Sequence, residues 1–144
     1  TKSYGGSGYA HQSWLSTDHK YLFFGDELDE YYFGGNTKTF VFDMTNLSSP
    51  SLIFTYNGET TAIDHNGYVV GGLYYLSNYT AGLRVIDISQ VGNKTMDEVM
   101  FFDTHPESDL SSFDGVWNAY PFFQSGIIAI SDRQGGLFLV KSSN

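Results

Sequence analysis

The sequence contains no cysteine, which excludes a disulfide framework, a thiolate metal site and a cysteine nucleophile. It has only 7 lysine and arginine residues against 16 aspartate and glutamate residues, for a formal net charge of −9. The basic residues occur singly, so there is no positive stripe to follow a phosphate backbone, and nucleic acid is not an expected partner. Because no apolar run approaches the roughly 20 residues that a transmembrane helix needs, we expect no membrane span.

Aromatic residues and glycine are abundant instead. The chain has 12 Phe, 11 Tyr and 2 Trp, and 16 glycines beside only 3 prolines. Large flat rings pack well on a pleated, half-buried surface, and glycine serves tight turns. This composition favours an all-β fold with many short strands.

One order of strand-like segments recurs along the chain. The first copy has four segments, at residues 10–15, 20–26, 38–44 and 52–56. The second copy has them at 63–69, 73–78, 82–88 and 99–103. The third copy has them at 115–119, 127–132 and 136–141 and stops before a fourth segment. Four short strands per unit of roughly 50 residues are typical of a β-propeller blade.

We therefore predict a β-propeller segment of about three four-stranded antiparallel blades, the last lacking its outer strand. The blades are expected at residues 10–58, 59–104 and 105–144, together forming one propeller domain. Residues 1–9 are expected to be a linker or the end of a preceding blade. A β-sandwich, which also has short strands and frequent turns, is the alternative.

Three blades leave exposed sheet edges on both sides that need a cover, since closed propellers have about four to eight blades. We expect further blades of a longer polypeptide, a protein partner or a second copy of the chain to complete the ring.

Several motifs resemble one family of secreted proteins. They are HQSWL at 11–15, GDELDE at 25–30, AIDHN at 62–66, SNYTAGLRVIDI at 77–88, FDT at 102–104 and YPFFQSG at 120–126. In this order they resemble the C-terminal half of choice-of-anchor B proteins, which are built from LVIVD repeats. The resemblance implies a secreted or surface-attached β-propeller, and it implies no reaction.

The densest acidic run follows the second strand segment of the first copy. It supplies Asp26, Glu27, Asp29 and Glu30 as candidate calcium ligands, because calcium takes six to eight oxygen ligands. The spacing is not that of an EF-hand. An exposed acidic loop and a catalytic carboxylate pair are the other interpretations.

Polar residues at matching repeat positions form a second candidate site. They predict a ring at the mouth of the propeller channel, for a cation or a small polar ligand. In the alternative interpretation these side chains satisfy one another and the backbone between blades. The ring consists of Gln12, Asn66, Asn118, Asp26, Asn78 and Asp132.

The histidines give weaker signals. His11 and His65 occupy equivalent repeat positions, which Trp117 takes in the third copy, and this favours a packing and hydrogen-bonding role over a zinc ligand. No His-Glu-x-x-His spacing is present. Asp64 beside His65 suggests a base and its orienting group, with Ser13 or Ser77 as the nucleophile, although no Gly-x-Ser-x-Gly elbow occurs.

Asn46 and Asn93 begin Asn-x-Ser/Thr sequons between third and fourth strand segments, where a glycan would reach solvent. A third sequon, at Asn78, falls in the polar ring and is expected to stay unmodified.

Taken together, the sequence predicts an extracellular or cell-surface glycoprotein without enzymatic activity. Its role would be structural, or the binding of proteins or glycans. The alternatives are a calcium-dependent adhesion or matrix protein and a hydrolase of unknown substrate.

Overall fold

A computed structural model of the protein describes residues 2–143 and gives an all-β chain with 44% strand and 6% helix. The strands form three antiparallel sheets of four, four and three strands, none of them closed. The first sheet contains β1 (Ala10–Leu15), β2 (Tyr21–Asp26), β3 (Lys38–Asp43) and β4 (Ser51–Asn57), with a helix α1 (Asp29–Phe33) between β2 and β3. The second contains β5 (Gly67–Val70), β6 (Leu73–Ser77), β7 (Leu83–Asp87) and β8 (Asp97–Phe102), and the third β9 (Val116–Tyr120), β10 (Ile127–Asp132) and β11 (Gly136–Lys141).

In each sheet, strands that are consecutive in the chain are neighbours. The predicted all-β fold, with strand groups of four, four and three, is therefore confirmed. The main shift is at β5, which begins at Gly67 rather than at residue 63. Residues 63–65 are instead buried outside any strand, although His65 N–H still donates to the Ser77 carbonyl at 2.9 Å. Asn66, which follows them, is half-buried.

The last two residues of the acidic run, Asp29 and Glu30, begin helix α1, which the sequence did not predict. Tyr32 N–H donates to Leu28 O at 3.0 Å, and Gly34 N–H donates to Glu30 O at 2.9 Å. The two acidic residues in its first turn stabilise the helix, because negative charge interacts favourably with the positive N-terminal end of the helix dipole. Residues 106–112, between the second and third sheets, form turns and bends.

The second sheet lies between the other two, so both of its faces are buried. Tyr74 of β6 belongs to a core that includes Phe23 and Val41 of the first sheet. Its neighbour Tyr75 packs against a second core that includes Ile130 of the third sheet. Successive strand residues point to opposite faces, so this alternation stacks the three sheets face to face.

The first strands of the three sheets gather on one side, where β1 contacts β5 and β5 contacts β9. On the outer face of the third sheet, Leu137 and Leu139 remain 69% and 64% exposed. Within residues 2–143, no helix has the length and apolar character needed to cross a bilayer.

Candidate functional site

Two clusters of ionisable side chains lie side by side where the acidic run meets residues 63–66. We call Asp29, Glu30 and Asp64 the carboxylate cluster, and His11, Glu27 and His65 the histidine cluster. Asp64 and His65 are adjacent in the chain, and each belongs to a different cluster. In each cluster, one ligand atom per residue lies within 4.8 Å of the others.

The carboxylate cluster is buried. Asp29, Glu30 and Asp64 are 2%, 2% and 1% exposed. Among residues 2–143, Lys38 supplies the only cation paired with it: Lys38 Nζ donates to Asp29 Oδ2 at 2.7 Å, and the Lys38 backbone N–H donates to Glu30 Oε1 at 3.0 Å. The exposed-loop interpretation of the acidic run is therefore wrong for Asp29 and Glu30.

Three oxygens of this cluster, Asp29 Oδ1, Glu30 Oε2 and Asp64 Oδ1, have no hydrogen-bond partner among the described residues. Burial, followed by repulsion from neighbouring carboxylates, raises the pKa of Glu30 and of Asp64 well above the usual range. One ammonium group cannot balance three ionised carboxylates in a buried space. The cluster must therefore hold protons or a further cation.

A glycine in β2 makes room for Asp64. A Cβ atom at Gly25 would collide with Asp64 Oδ2, so the backbone of β2 can lie this close only without a side chain. The first sheet thus forms one wall of the carboxylate cluster.

The histidine cluster joins β1, the loop after β2 and the segment before β5. His11 Nδ1 lies 3.5 Å from Glu27 Oε2, and His65 Nε2 lies 3.7 Å from Glu27 Oε1. The two imidazole rings stack with centroids 4.5 Å apart and an interplanar angle of 26°. The His65 ring also packs against Trp117, with centroids 4.4 Å apart. The side chains at this repeat position therefore form a row, in which His65 packs between His11 and Trp117.

Two hydrogen bonds orient the histidine cluster. His65 Nδ1 lies 2.5 Å from the Trp117 carbonyl oxygen, which can only accept, so Nδ1 carries the proton. Tyr79 Oη donates to Glu27 Oε1 at 2.7 Å. Burial lowers the pKa of His65, and burial together with the Glu27 hydrogen bond raises that of Tyr79. Both side chains are therefore neutral near pH 7.

Tyr79 has an unusual backbone. Its φ is 33°, in the left-handed region that bulky residues rarely adopt. Its carbonyl accepts from Gly82 N–H at 3.0 Å and Val116 N–H at 2.9 Å, which ties the second sheet to the third. Such conformations persist where the surroundings over-determine them, and they cluster at functional sites.

The four predicted calcium ligands do not form one set. Asp29 and Glu30 come together with Asp64, whereas Glu27 belongs to the histidine cluster. Asp26 accepts from Tyr4 Oη at 2.6 Å and from the Tyr9 backbone N–H at 2.5 Å, which fastens residues 4–9 onto β2.

No hydrogen bond joins two of the six polar-ring residues within residues 2–143. Gln12 exchanges two hydrogen bonds with the Gly67 backbone, at 2.7 and 2.8 Å, and so links β1 to β5. The side-chain partners of three others are Thr37 for Asn78, Tyr68 for Asn118 and Thr104 for Asp132. The Asn66 carbonyl accepts from Ser77 N–H, and the contacts of Asp26 are given above.

The residues of the hydrolase alternative are also dispersed. The two ring nitrogens of His65 face Trp117 and Glu27, so Asp64 does not orient this histidine. Ser77 Oγ is buried and unpaired, and Ser13 is exposed on β1.

The three first strands and the loop after β9 present an aromatic patch, defined here as Trp14, Tyr68, Tyr120, Phe122 and Phe123. Trp14 lies 5.0 Å from Tyr68 and 6.1 Å from Phe122, measured between ring centroids. Tyr120 lies 5.2 Å from Phe122 and 4.8 Å from Phe123. Four of the five rings are exposed, by 38 to 48%.

Sequence reasoning missed Lys38 and Tyr79 as site residues. Lys38 lies nine positions from Asp29, and nothing in the sequence marked it as the counter-ion. Tyr79 follows β6 and reaches Glu27 across 52 residues of chain. The repeated histidine position was the one local signal for the histidine cluster.

Comparison with known proteins adds no assignment, because no family model, curated protein or solved structure matches this chain. The resemblance to the choice-of-anchor B family therefore stays a prediction.

Proposed function

We propose that this chain is a run of β-propeller blades of the choice-of-anchor B type, acting outside the cell as a non-enzymatic binding module. The aromatic patch carries the proposal. One ring comes from each first strand (Trp14 from β1, Tyr68 from β5 and Tyr120 from β9), so the patch depends on the assembled sheets.

A glycan is the favoured ligand. Flat exposed rings can stack on the C–H faces of sugar rings. The O–H of tyrosine and the N–H of tryptophan add hydrogen-bonding groups to this apolar area. Tyr68 Oη donates to Asn118 Oδ1 at 2.8 Å, which holds one ring in place and sets the Asn118 amide beside the patch. A protein segment is the other ligand class that such a surface accepts.

Binding is tested with glycan arrays and immobilised extracellular-matrix proteins, followed by calorimetry on any hit. We expect Trp14→Ala and Tyr120→Ala each to weaken binding at least about tenfold. Tyr32→Ala is the matched control, because Tyr32 is a 61% exposed aromatic residue on α1. Equal losses in all three variants, or no binding to either ligand class, would contradict the proposal.

The propeller arrangement is supported by the face-to-face stacking of the sheets and by the gathering of β1, β5 and β9. The exposed leucines of β11 fit a face that another blade covers. We expect light scattering to show self-association of the isolated chain, reduced by Leu137→Lys with Leu139→Lys. A stable monomer of the unchanged chain would count against blade completion by a second copy.

A calcium-dependent role is the second candidate, and the unpaired oxygens of the carboxylate cluster favour it. Three carboxylates are hard ligands of the kind calcium takes, although Lys38 already holds one of them. Thermal unfolding at pH 8 should then shift upward with calcium and downward with chelator. The shift should disappear in Glu30→Gln but persist in Asp18→Asn, a change at an exposed carboxylate. An unchanged midpoint in the parent protein removes this role.

A further inference from the structure

The histidine cluster combines the donor set and the spacing of a transition-metal site. Two imidazole nitrogens and one carboxylate suit zinc and related divalent ions, whereas calcium takes oxygen ligands. We propose that His11, Glu27 and His65 bind a zinc-type divalent ion and leave one coordination position open.

The distances support a shared ion rather than direct pairing. Zinc bonds to nitrogen and oxygen of about 2.0–2.2 Å in a tetrahedron place neighbouring donor atoms about 3.3–3.5 Å apart. His11 Nδ1 lies 3.5 Å from Glu27 Oε2, and His65 Nε2 lies 3.7 Å from Glu27 Oε1. Both gaps exceed the usual N–H···O length of 2.7–3.2 Å. The two histidines thus face the two oxygens of one carboxylate, and one donor atom from each of the three residues lies within 4.8 Å of the others.

The groups behind the donors hold them in ligand geometry. His65 gives its Nδ1 proton to the Trp117 carbonyl, so the lone pair of the neutral ring is on Nε2, the nitrogen that faces Glu27. Metal-binding histidines usually donate their other N–H to a carbonyl or carboxylate in this way. Tyr79 Oη donates to Glu27 Oε1 and so fixes the carboxylate that the two histidines face. Both orienting groups come from parts of the chain distant in sequence.

The fourth position opens toward solvent. The side chains of His11 and Glu27 are 24% and 13% exposed, whereas that of His65 is 3% exposed. Three protein ligands with a solvent-facing fourth position are the arrangement in which zinc keeps an exchangeable water. The ion would thus accept a water molecule or an anionic ligand group.

The histidine cluster shares no residue with the aromatic patch or the carboxylate cluster. Its donors include two nitrogens and no oxygen of the carboxylate cluster. A calcium titration and a zinc titration therefore report on different residues.

The test uses the full chain after chelator treatment and removal of the chelator. Cobalt(II) reports geometry, because a tetrahedral site gives intense visible absorption and an octahedral one gives weak absorption. Zinc affinity is measured by competition with a chromophoric chelator. We expect one tetrahedral cobalt per chain, displaced by zinc.

Glu27→Gln and His11→Ala are the informative variants. The first keeps the size of the side chain and an acceptor for Tyr79, and the second changes a partly exposed residue, so both should fold, which circular dichroism checks. Each should weaken zinc binding at least about 100-fold, and Tyr79→Phe about tenfold. His105→Ala is the matched control, because His105 pairs with exposed Glu107 at 3.3 Å and should not matter.

Failure of the unchanged protein to bind zinc would overturn the proposal, as would a weak octahedral cobalt spectrum. Unchanged affinity in folded Glu27→Gln and His11→Ala would also overturn it. An equal loss in His105→Ala would show binding by scattered surface histidines instead.

Discussion

The carboxylate of Asp64 lies directly against the backbone of Gly25, in the space that a side chain at residue 25 would need. Gly25→Ala should therefore destabilise the protein by about 1–3 kcal/mol, as expected for overpacking of a buried site. Chemical denaturation measures the change. Gly72→Ala is the control, because a Cβ at that exposed glycine meets nothing within 4 Å. Equal stability of the two variants would mean that Asp64 can move away at little cost.

The pH dependence of stability should reveal the protonated carboxyl group of Glu30. Its pKa is higher in the folded than in the unfolded chain, so above about pH 4.3 the folded state binds the extra proton. The contribution of this group to the free energy of unfolding is fully present below that pH. It is lost as the pH rises toward the raised pKa of the folded state. The loss is at most about 1.4 kcal/mol per pH unit for one group.

Glu30→Gln keeps the shape of the neutral acid and cannot ionise. In chelator, its stability relative to the parent protein should rise between pH 5 and pH 8. The lowered pKa of His65 has the opposite effect, with stability lost as the pH falls below about 6.5, but it is common to both proteins and cancels in the difference. A difference that stays constant or falls with pH would show that Glu30 is ionised in the folded state.

Lys38 should contribute strongly to stability through Asp29. Lys38→Met leaves a 2% exposed carboxylate without its cation, and we expect a loss of about 3 kcal/mol. Lys20→Met breaks the exposed pair with Asp18 at 3.3 Å and should change little. Asp29→Asn in the Lys38→Met background should recover part of the loss. Denaturation of the parent, of Lys38→Met, of Asp29→Asn and of the double variant measures the coupling. Additive effects in this cycle would mean that the ion pair contributes nothing.

Most strands could be predicted because their signals are local. β10 and β11 have their predicted bounds, since alternation and the turn between them lie within 15 residues. Helix α1 could not be predicted, because burial of Asp29 and Glu30 against Asp64 and Lys38 overrides the ordinary preference of acidic residues for solvent. The calcium set was likewise drawn from neighbours in sequence, whereas the structure groups residues by sheet stacking.

The histidine cluster shows how far a repeat can guide prediction. Equivalent positions in successive repeats lie side by side once the sheets stack. The repeat alignment could therefore place His11, His65 and Trp117 at matching positions, and their rings do pack together. The contact of Glu27 with Tyr79 could not be predicted in this way, because it joins the loop after β2 to the turn after β6.

Glycosylation provides a test of the extracellular setting. Asn46 and Asn93 are exposed, whereas Asn78 is 2% exposed and exchanges hydrogen bonds with Thr37. Expressed through a eukaryotic secretory pathway, the chain should carry glycan at Asn46 and Asn93 and none at Asn78, as peptide mass spectrometry after glycosidase treatment would show. Asn46→Gln and Asn93→Gln should each remove one glycan without changing stability, because neither side chain is buried. Glycan at Asn78 would require the segment after β6 to be open when the sequon is modified, and it would contradict the packing of this segment against Thr37.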